Sequence, residues 1–243
     1  MSLNLLALDT STERMSLAVQ RRDHDTPWVH EAPGGALASL HLIEQIQALM
    51  AQADLDFKHL DAMAFGAGPG SFTGLRTACA VAQGLGFGAS VPLLPVDTLL
   101  AVAETARTQI APGPGTEVLA LLDARMDEMY AAPYRYADGQ WQRGHEPILI
   151  RPEQLHSDAP WPMAGVQALV GNVFEVYGAR LHLPALPRIP AWPSAQAMLR
   201  LAPALLAAGC GVPAEQALPV YVRDKVAQTT QERLALKSAA GAT

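Results

Sequence analysis

Apolar residues run almost unbroken through residues 3–9 (LNLLALD) and end in an acid, the pattern of a strand buried on both faces. The polar turn Thr10-Ser11-Thr12 leads to a second strand over 15–20 and a third over 28–31, an antiparallel start that closes at Gly34-Gly35. Leu42, Ile43, Ile46, Leu49, Met50 and Ala53 then recur at helical spacing and predict an amphipathic helix over 39–52. Residues 62–65 read as a strand, 66–74 as a tight loop, 75–88 as a helix and 92–96 as another buried strand. Leu99, Val102, Ala103 and Ala106 share one face of a helix over 98–109.

The stretch 62–96 organises this half. It holds seven of the nineteen glycines and one charge, Arg76. Its helix is small and apolar all round, with Ala78, Val81, Ala82 and Leu85 on one face and Cys79, Ala80 and Gly86 on the others. A helix with no polar face is buried on more than one side, within its own domain or against another protein. Residues 77–96 carry no charge, but Pro92 and Pro95 break any long helix there. A helix over 77–88 spans roughly 18 Å, short of the ~30 Å of a bilayer core, so a membrane span is rejected.

Residues 111–115 (APGPG) are the strongest linker signal. After them the pattern restarts. Residues 118–123 (VLALLD) repeat the shape of 3–9, again followed by a short polar turn and a second strand, here 129–136, with a third over 141–145. The echo predicts an α/β protein of two domains with related architecture, divided as 1–110 and 111–227. The second is less regular and rich in proline, with a strand over 168–171, a short helix over 173–178, a helix over 194–208 started by Ser194 and stopped by Gly209, and an extended piece over 218–222. Residues 228–243 lack a core pattern and read as a mobile tail.

Composition narrows the function. Half of the 243 residues are hydrophobic, and 17 basic against 23 acidic residues give a net charge of −6. No basic cluster grips a phosphate backbone, which disfavours direct nucleic-acid binding by this chain alone. The first residues lack a basic region followed by a long apolar run, so no signal peptide is read there. The two cysteines, Cys79 and Cys210, lie far apart and read as reduced thiols of a cytoplasmic protein.

Three kinds of chemistry deserve weighing. Gly66, Gly68 and Gly70 with Pro69 precede a helix start whose free N–H groups can hold an anion or be capped. No Gly-Lys pair exists, and neither Gly66-x-Gly68 nor Gly68-x-Gly70 completes G-x-G-x-x-G, so a turn that seats strand against helix is the stronger reading. Asp9 and Asp123 end corresponding strands: facing carboxylates could hold Mg²⁺ and a nucleotide, while ordinary turn capping explains each one separately. The seven histidines show no i,i+3 or i,i+4 pair, which argues against a metal site, and G-x-S-x-G is absent around Ser71 and Ser11.

Leu8-Asp-Thr-Ser-Thr12 together with Gly68-Pro-Gly-Ser-Phe-Thr-Gly-Leu-Arg76 resembles the TsaB (YeaZ) family, accessory subunits of bacterial tRNA threonylcarbamoyladenosine synthesis. Asp123-Ala-Arg-Met-Asp-Glu-Met-Tyr130 and Pro219-Val-Tyr-Val-Arg-Asp-Lys-Val-Ala227 extend the resemblance over nearly the whole chain. It implies two duplicated domains of the actin, Hsp70 and hexokinase superfamily. It also implies a non-catalytic chain that pairs with the catalytic relative TsaD, is served by the ATPase TsaE, self-associates when TsaD is absent, and meets tRNA only through the complex. The implied cleft would use Asp9, Thr10, Ser11, Gly68, Gly70 and Asp123, as a vestigial nucleotide site or as turn caps; no cofactor of the chain's own is implied, beyond a nucleotide at the partner interface. The implied pairing surface carries His41, Leu42, Ile46 and Met50 on one helix, and Ser71, Phe72, Arg76, Cys79 and Ala82 at and along the next.

Departures from the superfamily pattern point the same way. The stretch matching the H-x-x-x-H metal ligands of TsaD-like proteins, 96–104 (VDTLLAVAE), has no histidine. Residues 169–173 (LVGNV) keep one glycine of the adenosine loop, and residues 9–13 offer no lysine to a γ-phosphate and end in Glu13. The opposing expectation is an autonomous ATPase or glycoprotease-like metallopeptidase.

Overall fold

The computed structural model describes residues 3–182 and 186–223, with the backbone alone at 36–40; the tail expected over 228–243 lies outside the described residues. The first sheet contains β1 (Leu5–Asp9), β2 (Arg14–Gln20), β3 (Trp28–Pro33), β4 (Ala62–Gly68) and β5 (Leu93–Asp97), in the order β3-β2-β1-β4-β5. β1 pairs antiparallel with β2 and parallel with β4. Between these strands lie α1 (Ala36–Gln52) and α2 (Phe72–Ala89), and α3 (Thr98–Ile110) follows β5.

The second sheet contains β6 (Glu117–Asp123), β7 (Met129–Ala137), β8 (Gln140–Arg143), β9 (Ile148–Ile150), β10 (Ala168–Gly171) and β11 (Arg188–Pro190). Its order is β11-β10-β6-β7-β8, with β9 also on β7. Two short helices, α4 (Leu155–Asp158) and α5 (Phe174–Tyr177), precede α6 (Ala195–Ala207). Read from the meander outward, β8-β7-β6-β10-β11 repeats β3-β2-β1-β4-β5, with the same antiparallel and parallel pairings. The echo between 3–9 and 118–123 is therefore a duplication of topology, and the fold is a duplicated α/β architecture.

Alternation along each strand sets the layers. Leu6 and Leu8 of β1 point to a core with Leu42, Ile46, Leu49 and Met50 of α1 and Ala78, Cys79 and Ala82 of α2. Leu5 and Ala7 point the other way, where Ala18, Ala62 and Ala64 leave room for α6 to approach with Met198, Leu199 and Ala202. In the second sheet Val118, Ala120 and Leu122 meet Leu99, Val102, Ala103 and Ala106 of α3. Leu119 and Leu121 face a separate core with Trp161 and Tyr177.

A division at 110/111 separates the sheets but not the helices. α3, from the first half of the chain, covers the second sheet, and α6, from the second half, covers the first. The two helices touch between the sheets. Glu104 of α3 is buried there and accepts from Arg107 at 2.8 Å, Arg200 at 2.5 Å and the Trp141 indole at 3.1 Å. A buried carboxylate is tolerated when its oxygens are fully bonded; of the three donors, Arg200 ties α6 to α3 and Trp141 ties β8 to α3, while Arg107 lies on α3 itself.

Two boundaries differ from the sequence pattern for a local reason. β4 runs on to Gly68, and α2 begins at Phe72 because Ser71 caps it, its hydroxyl accepting from the Gly74 N–H at 3.5 Å. Residues 218–222 form no sheet strand among the described residues; one backbone bond, Val220 N–H to the Ala67 carbonyl, ties them to β4.

Candidate functional site

The C-terminal ends of β1 and β6 face the space between the domains. Asp9 ends β1, and its Oδ1 accepts from the N–H and the hydroxyl of Ser11 at 3.1 and 2.8 Å. This is a turn cap. Its Oδ2 is buried against Gly66 with no hydrogen-bond partner among the described residues. Burial pushes the carboxyl up to about 7 against the two Ser11 bonds that hold it down. Asp123 ends β6 in the matching way. Its Oδ1 accepts from the Arg125 N–H at 2.8 Å and the Tyr177 hydroxyl at 2.9 Å, and Arg125 pairs with Oδ2 at 3.0 Å.

The glycine loop docks onto the β1–β2 turn. Ser71 N–H donates to the Ser11 carbonyl at 2.7 Å, and the Thr10 hydroxyl donates to the Gly74 carbonyl at 2.7 Å. A Cβ at Gly74 would lie 1.8 Å from the Thr10 carbonyl oxygen, and one at Gly70 would lie 2.7 Å from that of Ser11. The glycines are thus a contact seam between two loops. Gly68 is a different case: its φ is +120°, and a Cβ there would stand 2.4 Å from the Val220 carbonyl oxygen. Asp9, Thr10 and Ser11 direct their polar side-chain atoms into the protein; Asp123 alone of the two strand-end acids reaches the cavity between the domains.

That cavity holds about 370 Å³ and is bordered by Glu13, Phe72, Asp123, Arg125, Tyr221 and Arg223. Its charges are balanced inside the chain: Arg125 pairs with Asp123, and Arg223 pairs with Glu128 at 2.6 Å. Among the described residues no group of three or more His, Cys, Asp or Glu could hold a metal ion, and no helix is long and apolar enough to cross a membrane.

The residues expected to form a pairing surface divide sharply. His41 of α1 is exposed, as are Ser71, Phe72 and Arg76 at the start of α2. Leu42, Ile46 and Met50 of α1, and Cys79 and Ala82 of α2, are buried in the core of their own domain and present no surface. The correction follows from geometry: the regular apolar stripe of a helix is the one its own sheet covers. The surface that remains is the residue set off that stripe, Ile43 on α1 (51 % exposed) and Ala80, Gly84 and Phe87 (78 % exposed) on α2. Ile43 was legible as an apolar residue one position after Leu42, about 100° round the helix from the buried line. Phe87 was legible as the one aromatic side chain in the glycine-rich C-terminal half of the helix.

The site is that of a duplicated α/β fold in which the two matching strand-end acids each cap a turn beside a cavity between the domains. The family model for TsaD, tRNA N6-adenosine threonylcarbamoyltransferase, matches residues 32–179. The tRNA threonylcarbamoyladenosine biosynthesis protein TsaB of Escherichia coli K12 is 32% identical over 229 residues, 93% of this chain and 96% of that protein. The TsaB of Haemophilus influenzae is 40% identical over 129 residues, 53% of this chain and 52% of that one. The solved structure of YeaZ from Pseudomonas aeruginosa superimposes with a TM-score of 0.79 at 35% identity, covering 91% of this chain and all of that one. The chain belongs to the TsaB family.

Proposed function

We propose that this chain is the non-catalytic partner of TsaD in threonylcarbamoylation of the adenosine adjacent to the anticodon of tRNAs that read codons starting with A. The observation that carries the proposal is the near full-length relationship to the TsaB of E. coli, a tRNA threonylcarbamoyladenosine biosynthesis protein. The geometry adds a physical reason for an accessory role: Asp9 Oδ1 and the hydroxyls of Thr10 and Ser11 are engaged within the chain. TsaD docks, in this reading, on the exposed faces of α1 and α2 around Ile43, Ala80, Gly84 and Phe87. Small residues there let another helix approach closely, and exposed apolar side chains anchor it. The same faces form a homodimer when TsaD is absent. TsaE serves the pair, a nucleotide binds at the partner interface, and tRNA is held by the complex in the cytoplasm, in keeping with a net charge of −6 on this chain. Size exclusion of the purified chain mixed with TsaD tests the pairing. Co-elution as a heterodimer is expected; separate elution at micromolar concentration contradicts it.

A further inference from the structure

Residues 218–223 cross the space between the domains with a cavity on each side. Val220, Tyr221 and Val222 border both the cavity of about 370 Å³ beside Asp123 and a second of about 460 Å³ beside Pro69, Asp97 and Arg143. The segment is fastened at both ends. Ala217, fully buried, accepts from Gln83 Nε2 of α2 at 2.8 Å. Arg223 donates to Glu128, at the turn before β7 in the second domain, at 2.6 Å. Between these ends the bonds are few. Val220 N–H donates to the Ala67 carbonyl at 2.7 Å, a contact that Gly68 makes possible by lacking a Cβ. The Tyr221 hydroxyl accepts from Arg76 Nε at 3.0 Å, and its ring lies 5.3 Å from that of Phe72, over which the Arg76 guanidinium sits at 3.8 Å.

Two features make the segment separable from the fold. Leu218 and Val220 are 67 % and 54 % exposed, so detaching them uncovers little apolar surface. The hydrogen bond and the cation–aromatic contacts at Tyr221 lie near the surface, where each is weak, while the half-buried Arg223–Glu128 pair is the firmer fastening. A segment held by few buried contacts opens at a free energy well below global unfolding. Its attachment point also matters. The exposed stripe of α2 runs from Phe87 through Gly84 and Ala80 to Arg76, and there Tyr221 occupies it.

We propose that residues 218–223 are a displaceable strap: TsaD lying along the exposed stripe of α2 takes Phe72 and Arg76 from Tyr221, the strap swings about Ala217, and the two cavities join into one open cleft. The inference rests on the partnership with TsaD proposed above. Partner docking and cleft opening are then one equilibrium, since TsaD binds the strap-free form better than the strapped one.

Amide hydrogen exchange on the full chain, free and saturated with TsaD, reads the strap. Exchange over 217–223 is expected to rise about tenfold or more in the complex while exchange over 76–88 falls. A complex that protects 76–88 and leaves 217–223 slowed or unchanged overturns the displacement. In the free chain Tyr221→Ala is expected to speed exchange over 217–223 about tenfold with the global unfolding midpoint retained. Exchange at the wild-type rate shows that the aromatic clamp holds nothing and overturns the strap. If no complex with TsaD forms, the partnership fails and the displacement with it, whereas the Tyr221→Ala result still decides whether the strap exists.

Discussion

The Tyr134 hydroxyl donates to Oδ2 of Asp97 at 2.6 Å and joins the two domains. Tyr134 lies on β7 of the second sheet; Asp97 ends β5 of the first and caps α3 through the Leu99 N–H at 3.0 Å. Burial raises the Asp97 carboxyl, while the Tyr134 bond and the nearby Arg143 guanidinium, at 3.2 Å, hold it down. Tyr134→Phe removes the hydroxyl and keeps the ring. Stability is expected to fall by about 1–3 kcal/mol. The loss grows with rising pH, because only the ionised carboxylate needs the donor. Urea denaturation at several pH values checks this, and a loss independent of pH contradicts it.

Asp9 carries a carboxyl raised from 3.8 to about 7 by burial. The folded state therefore holds a proton that the unfolded chain releases over that window. Stability falls as pH rises between the two values and levels off above 7, with a limiting slope of about 1.4 kcal/mol per pH unit. Asp9→Asn keeps the shape and cannot titrate, so the difference between the two proteins should trace that curve. Parallel stability profiles from pH 4 to 8 would rule out an Asp9 that titrates near neutrality.

The two glycines that bracket α2's first turns and exposed face should respond oppositely to alanine. At Gly74 the new Cβ meets the Thr10 carbonyl at 1.8 Å, so the loop seam must separate, at a cost of about 3 kcal/mol or more. At Gly84 the new Cβ meets nothing within 4 Å among the described residues, and alanine should raise stability by about 0.5–1 kcal/mol through helix propensity. Chemical denaturation of both variants measures the contrast; equal effects contradict the seam.

Much of the architecture was readable because alternation and helical spacing are local. The run 3–9, the stripe Leu42–Ile46–Leu49 and the Ser194 cap each record a single element's environment. The duplicated topology was visible only as one echo, since strand order is made by pairings between distant residues. The exchange of α3 and α6 across the sheets left no local mark, because a helix pattern shows that one face is covered and not by which sheet. The same gap explains the surface residues: periodicity selected Leu42, Ile46 and Ala82, which the domain's own core takes, and passed over Phe87. The cleft acids were read in both of their roles, and the Ser11 and Arg125 bonds show that each caps its turn. Tyr221 meets Phe72 from 149 positions along the chain, a contact no spacing rule reaches.

Ile43 and Ile46 separate surface from core within one turn of α1. Ile43→Glu is expected to leave the unfolding midpoint unchanged and weaken the complex with TsaD about tenfold or more. Ile46→Glu places a charge in a fully buried site and should prevent folding. Thermal melts with a titration against TsaD read both; tight binding by a folded Ile43→Glu protein moves the interface off this face.

Threonylcarbamoyl transfer to tRNA by purified components tests the central claim most directly. With ATP and an activated threonylcarbamoyl donor present in every reaction, TsaD, TsaE and this chain together are expected to modify the tRNA, while omitting this chain, or supplying it as the sole protein, yields no product. Equal product without the chain, or product from the chain alone, contradicts its assignment as the non-catalytic partner of TsaD.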